Sequence, residues 1–146
     1  MKVPLERVDK LSFTLGMINA FAEMVATGVK PLAFSPPIAP GDYDGIAPGS
    51  KAIVAEFGIH TKLERNLLET ALFPSDATKD RWVILYYSDP SVLQEYLALK
   101  EEKQRLEASG EYRGEALTGI ARSLGQLLGY PEAVINERLS EANVAF

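Results

Sequence analysis

An unbroken apolar run, WVILYY at positions 82–87, constrains the fold more than any other stretch of this sequence. A strand with one face in water alternates apolar and polar side chains, whereas a strand buried on both faces does not. We therefore expect residues 82–87 to form a strand in the middle of a sheet. Asp89 and Pro90 follow it and suit the N-cap and the first turn of a helix.

The N-terminal segment carries two rows of apolar side chains at helical spacing. Pro4 suits the first turn of this helix and Gly28 its left-handed end. One row, within residues 8–29, is typical of a helix packed on a partner. The second row consists of Phe13, Met17, Phe21 and Met24. A helix that is apolar on two sides is central in the monomer or shared with another subunit, so we expect a homo-oligomer through this N-terminal helix.

Residues 30–50 are rich in proline and glycine and predict a long loop. Residues 32–35 within it suit a short strand, which the following prolines end or confine to a sheet edge. Ser50 suits the cap of a further helix that ends before Gly58.

The stretch 61–73 has two interpretations. Thr61 and Glu64 have the spacing of a capping box, and the leucines that follow have helical spacing. Residues 68–73 also suit a strand that pairs with 82–87 across a long loop. Two further helices are expected near the C-terminus, one over 117–128 and one that starts at Pro131.

These elements together predict an α+β fold with about five helices packed on a small sheet. We expect the sheet to include 82–87 and either 32–35 or 68–73. No repeat or linker divides the sequence, so residues 1–146 are expected to form a single globular domain.

Composition excludes several classes of function. The chain has no cysteine and one histidine, which excludes disulfides, thiolate nucleophiles and cysteine-ligated metals, and we expect neither a metal site nor a cofactor. The net charge is −5 and no segment is basic, so we expect no nucleic-acid partner. Polar residues interrupt the apolar N-terminal segment, so we expect no membrane span and place the protein in the cytoplasm.

Five residues are candidates for a ligand-binding site under the loop 30–50. Histidine is a residue type often used as a general base, and His60 is the only histidine of the sequence, although a catalytic histidine needs an orienting partner. Asp42 and Asp44 resemble the start of a calcium loop, but the twelfth position holds Ile53 instead of glutamate. Turn chemistry accounts for both aspartates better. The full set is Ser35, Asp42, Tyr43, Asp44 and His60.

Three segments resemble a family of small bacterial proteins of unknown function. They are GVKPLAFS (28–35), WVILYYSDPSVLQEYL (82–97) and LGQLLGYPEAV (124–134). Members of that family carry a Gly-x-Lys-Pro segment, a strand before a proline-started helix, and a Leu-Gly-Tyr-Pro turn. This chain lacks the cysteine associated with the first segment. The resemblance implies no activity but marks Lys30 and Tyr130, for which helix-end and turn roles are the default.

Three classes of function follow from the sequence. The first is a non-enzymatic binding or protein-interaction domain that forms a homodimer. The second is a small-molecule binding protein or enzyme with its site under the loop 30–50. The third is a transcription regulator with a C-terminal helix-turn-helix-like pair, which the carboxylates of Glu132, Glu137 and Glu141 disfavour.

Overall fold

The computed structural model describes residues 8–142, which contain five α-helices and one three-stranded antiparallel sheet. The helices are α1 (Lys10–Ala26), α2 (Tyr43–Phe57), α3 (Pro90–Ala108), α4 (Gly114–Leu127) and α5 (Glu132–Glu141). The strands are β1 (Leu32–Phe34), β2 (His60–Glu64) and β3 (Val83–Tyr87), and β3 lies between the other two. The α+β class and the strands predicted near 32–35 and 82–87 are confirmed.

The middle strand β3 is buried along its whole length, as its apolar run predicts. Successive side chains of a strand point to opposite faces, so β3 contributes to two separate cores. Ile84 and Tyr86 pack with α1 and α2 on one face. Val83, Leu85 and Tyr87 pack with α3, α4 and α5 on the other. The sheet is therefore the middle of three layers.

Most helix ends lie where the sequence places them. Asp89 caps α3 by accepting a hydrogen bond from the Ser91 amide at 2.9 Å. Gly28 follows α1 with φ +82°. At its other end α1 begins after Asp9, whose carboxylate accepts from the Ser12 amide, and the predicted start at Pro4 lies outside the described residues. No helix in residues 8–142 is long and apolar enough to cross a membrane.

The prediction of a loop up to residue 50, with Ser50 as a helix cap, is wrong. A short 3₁₀ turn leads into α2 at Tyr43, and Pro48 lies inside the helix. Ser50 is buried against the sheet, and its hydroxyl forms a 2.7 Å hydrogen bond with Tyr86. Burial of Ile46 one turn earlier stabilises the same helix face and offsets the hydrogen bond that proline cannot donate.

Neither interpretation of residues 61–73 is right. Strand β2 ends at Glu64, and the rest of this stretch has no regular structure. The capping box does not form because Thr61 lies within the strand and pairs with Tyr86 of β3. The carboxylate of Glu64 instead bonds to residues of α3, far away in the sequence.

Candidate ligand-binding cleft

The aspartates and tyrosine of the predicted site lie at the start of α2. Asp42 and Asp44 are exposed there, and Tyr43 packs edge-on against Trp82 with ring centroids 5.7 Å apart. Trp82 directly precedes β3, so this group lies at the N-terminal end of that strand.

His60 and Ser35 lie elsewhere. His60 is exposed at the C-terminal end of β3, where its ring lies 5.6 Å from that of Tyr87, and the described residues give it no ion-pair partner. Ser35 is buried beside β1, where its hydroxyl donates to the Pro36 carbonyl and accepts from the Ile84 amide, both at 2.9 Å. The structure thus distributes the five predicted residues over the sheet and does not join them in one site.

A different pair of segments meets at the ends of α1 and α4. After Gly28, the amides of Val29 and Lys30 both donate to the Met24 carbonyl, at 2.8 and 3.2 Å, which fixes Lys30 directly beyond the helix. Gly129 ends α4 with φ +78°, and a Cβ there would lie 3.3 Å from the Val29 carbonyl oxygen. Glycine therefore permits the two helix ends to touch. The contact joins the first and third segments of the bacterial resemblance.

A cleft with a volume of about 310 Å³ opens beside this contact, and we call it the Lys30 cleft. Its walls come from α1, the end of β1, the irregular chain around 67–78 and the turn between α4 and α5. Most lining residues are apolar, and Lys30 is the one charged residue in the described part of the lining. They are Met17, Phe21, Lys30, Phe34, Ser35, Pro36, Pro37, Leu67, Phe73, Pro74, Ala77, Thr78, Val83, Leu128 and Tyr130.

Lys30 is a half-buried cation held between aromatic rings. Its Nζ lies 5.1 Å from the ring centroid of Tyr130 and 5.9 Å from that of Phe21. Burial lowers the pKa of Lys30 below its ordinary 10.5, because desolvation disfavours the charged form. Neither ion pair found in residues 8–142 includes Lys30.

A second cation lies against the same aromatic wall. The Arg138 guanidinium carbon is 5.1 Å from the Tyr130 centroid and 5.3 Å from that of Phe73, and the two rings are 6.0 Å apart. Its Nε is buried and has no hydrogen-bond partner within the described residues. Arg138 itself lines a larger, open groove of about 650 Å³ that shares Phe73 with the Lys30 cleft and carries charges of both signs.

A third cluster, around Glu64, has the residue types of an active site, but its side chains bond to one another and to the backbone. The Glu64 carboxylate is buried and accepts from Lys100 at 2.9 Å, from the Tyr96 hydroxyl at 2.8 Å and from the Asn66 amide at 3.1 Å. The Tyr96 oxygen also accepts from the Leu68 amide at 2.9 Å. Burial raises the pKa of Tyr96, and the negative charge of Glu64 adds to that rise. These bonds attach residues 64–68 to α3.

No metal site is visible in the described part of the chain, where no three His, Asp or Glu side chains group closely enough to hold an ion. No protein-family model, curated protein or solved structure matches this chain. The resemblance to the bacterial family therefore stays a prediction.

Sequence reasoning identified parts of the Lys30 cleft but not the site. Lys30 and Tyr130 are marked by the resemblance, and Phe21 belongs to the second apolar row of the first helix. Phe73 and Arg138 carry no local signal, because the contacts that give them a role come from other elements.

Proposed function

We propose that the protein is a non-enzymatic binding protein and that a small, largely apolar molecule binds in the Lys30 cleft. The observation that carries this proposal is the lining, which is apolar except for Lys30 and a few hydroxyl groups. Concave apolar surfaces with few polar groups are typical of small-molecule sites, and a volume of about 310 Å³ lies at the small end of their range. We keep the cytoplasm as the proposed location.

The lining favours binding over catalysis. Within residues 8–142, the lining includes no carboxylate and no imidazole that could act as a general base. The Ser35 hydroxyl is already bonded to two backbone groups, so it is not available as a nucleophile. The cleft therefore offers a ligand an apolar surface and the positive charge of Lys30.

A neutral probe tests this proposal independently of charge. We expect 1-octanol to shift the amide NMR signals of cleft residues such as Phe34, Thr78 and Tyr130. Ala77→Phe places a large side chain at the lining and should weaken these shifts at least about tenfold, whereas Ala55→Phe, on the exposed surface of α2, should not. Shifts centred elsewhere, or unchanged by Ala77→Phe, would overturn the proposal.

A second candidate function is self-association through α1, as the sequence predicts. In the part of the chain that the structure describes, the exposed large apolar side chains all lie on α1 or just after it. They are Leu11, Phe13, Met24 and Val29. Phe13 and Met24 belong to the second apolar row, while Met17 and Phe21 of that row line the cleft. A homodimer would cover the exposed part of this row.

Sedimentation equilibrium tests the homodimer. We expect a dimeric mass for the unchanged chain and a dimer at least about thirtyfold weaker for Phe13→Glu, which places a charge in the apolar row. Asn19→Glu, on the opposite exposed side of α1, should leave the mass unchanged. A monomeric mass of the unchanged chain at every concentration would refute the homodimer.

A further inference from the structure

We infer that the ligand of the Lys30 cleft is a carboxylate with an apolar tail, and that its carboxylate pairs with the Lys30 ammonium. This inference rests on the proposed function, since it concerns the same cleft, and it adds the chemical class of the ligand. Three observations carry the inference. Lys30 is the one charged residue in the described part of the lining, and the rings of Phe21 and Tyr130 lie beside its ammonium. Arg138 lies against the same Tyr130 ring.

The first step is the environment of the ammonium group. Its neighbours are the rings of Phe21 and Tyr130, and both ion pairs of residues 8–142 involve other residues. A half-buried cation has lost part of its hydration, and ring contacts replace only some of it. An anion bound at Lys30 would replace the remaining lost hydration with a charge-assisted hydrogen bond to the ammonium.

The second step is the sign of the local field. Arg138 and Lys30 each lie 5.1 Å from the Tyr130 ring, so two positive charges flank this end of the cleft. Among the described residues, the lining of the cleft itself carries no negative charge, whereas Arg138 shares its own groove with Glu69 and Glu141. A half-buried cation in the cleft, with a second cation on the same aromatic ring, favours an anion over a neutral molecule of the same shape.

The third step distinguishes a carboxylate from a phosphate. Phosphate sites usually combine an arginine fork or a row of free backbone amides with the lysine charge. Here the amides of Val29 and Lys30 both bond to the Met24 carbonyl, and the Arg138 side chain lines the neighbouring groove instead of the cleft. One ammonium group, without an arginine fork or free amides beside it, matches a singly charged carboxylate.

The fourth step concerns the remainder of the ligand. Beyond Lys30, the cleft is bounded by apolar side chains that include Met17, Phe34 and Leu128. Such walls recognise a hydrocarbon tail by its shape and provide no partner for a second polar group. A short- to medium-chain fatty acid, such as octanoate, has both features.

Calorimetric titration with octanoate and 1-octanol tests the inference, because the two probes differ in charge but hardly in tail. We expect the unchanged chain to bind octanoate about ten to a hundred times more tightly than octanol. Lys30→Met and Lys30→Gln should abolish this preference, and Lys30→Arg should retain most of it. Lys51→Met, at an exposed position of α2, is the matched control and should bind as the unchanged chain does.

The outcomes separate the inference from the proposed function. Equal binding of both probes, or a preference that survives both Lys30→Met and Lys30→Gln, would overturn the carboxylate and leave an apolar binding protein. Binding of neither probe in the cleft would overturn both. A preference retained only with Lys30 or Arg at this position would support the inference.

Discussion

Lys30 and Lys100 are both half-buried beside a tyrosine ring, yet of these two only Lys100 has an ionic partner among the described residues. The Lys100 ammonium is 2.9 Å from the Glu64 carboxylate and 2.6 Å from the Asn66 carbonyl, with the Tyr96 ring at 5.9 Å. Lys30 lies 5.1 Å from the Tyr130 ring and forms neither ion pair of residues 8–142. The two sites have similar components but differ in whether the charge is compensated.

This difference separates a structural site from a recognition site. Lys100 pairs with a carboxylate of the fold itself. Its ion pair with Glu64 and the hydrogen bonds around it attach residues 64–68 to α3. Around Lys30 the described residues form an apolar cavity with one cation and no anion in its lining. A half-buried charge without an ionic partner slightly reduces the free energy of unfolding. Such uncompensated charges are typical of functional sites.

The largest effect is expected from a substitution that removes the ionic partner of Lys100. Glu64→Gln leaves the Lys100 ammonium half-buried without its carboxylate, so we expect the free energy of unfolding to fall by about 3 kcal/mol. Lys30→Met removes no ion pair and should leave it within about 0.5 kcal/mol of the unchanged chain. Urea denaturation measures both. Equal losses in the two variants would contradict the distinction between the lysines.

A smaller effect is expected where the two helix ends meet beside the cleft. Gly110 and Gly129 both have positive φ, +74° and +78°, but only Gly129 has other backbone atoms close to the position of a Cβ. We expect Gly110→Ala to reduce the free energy of unfolding by about 1 kcal/mol through strain alone. Gly129→Ala should cost about 2 kcal/mol, because the Val29 carbonyl, 3.3 Å from the new Cβ, must also move.

An effect that is absent at neutral pH appears only at high pH and involves another buried hydrogen-bonded pair, Tyr86 with Ser50. Burial raises the pKa of Tyr86 from 10.0 to about 12, so above pH 10 the unfolded phenol loses a proton that the folded protein retains. Stability from this group is complete below pH 10 and is lost as the pH rises toward 12, by at most about 1.4 kcal/mol per pH unit.

Urea midpoints from about pH 9 to about pH 11 measure this slope. Tyr86→Phe should make it less steep, because the substituted ring has no proton to lose, while Tyr96 and Tyr112, whose pKa values burial also raises, keep part of the slope. The contribution of Lys30 has the opposite sign, since its lowered pKa makes the folded state bind fewer protons as the pH approaches 10.5. An unchanged slope in Tyr86→Phe would refute the assignment to Tyr86.

The sequence predicts the elements whose signals are local. Strand β3 follows from its own apolar run, and the start of α3 follows from Asp89 and Pro90. The start of α2 is missed because Ile46 and Ser50 are stabilised by contacts with the sheet, which proline spacing does not reveal. Glu64 is misinterpreted for the same reason, since its partners on α3 lie more than thirty residues away.

The candidate site was harder to predict than the fold. Lys30 and Tyr130 each have a sufficient local explanation, one after a helix and one in a turn. Their common role depends on the contact between the ends of α1 and α4, which brings together chain segments about a hundred residues apart. The pattern of a single sequence predicts where helices end, but it does not predict which helix ends are in contact.

The most direct test of the central claim follows the side-chain ¹³Cε NMR signals of Lys30 and Lys100 during a titration with octanoate. We predict that the Lys30 signal moves and saturates while the Lys100 signal stays in place, because Lys100 already pairs with the Glu64 carboxylate whereas Lys30 forms no ion pair within residues 8–142. A stationary Lys30 signal at saturating octanoate, or equal movement of both signals, would contradict the claim that Lys30 is the recognition charge of this protein.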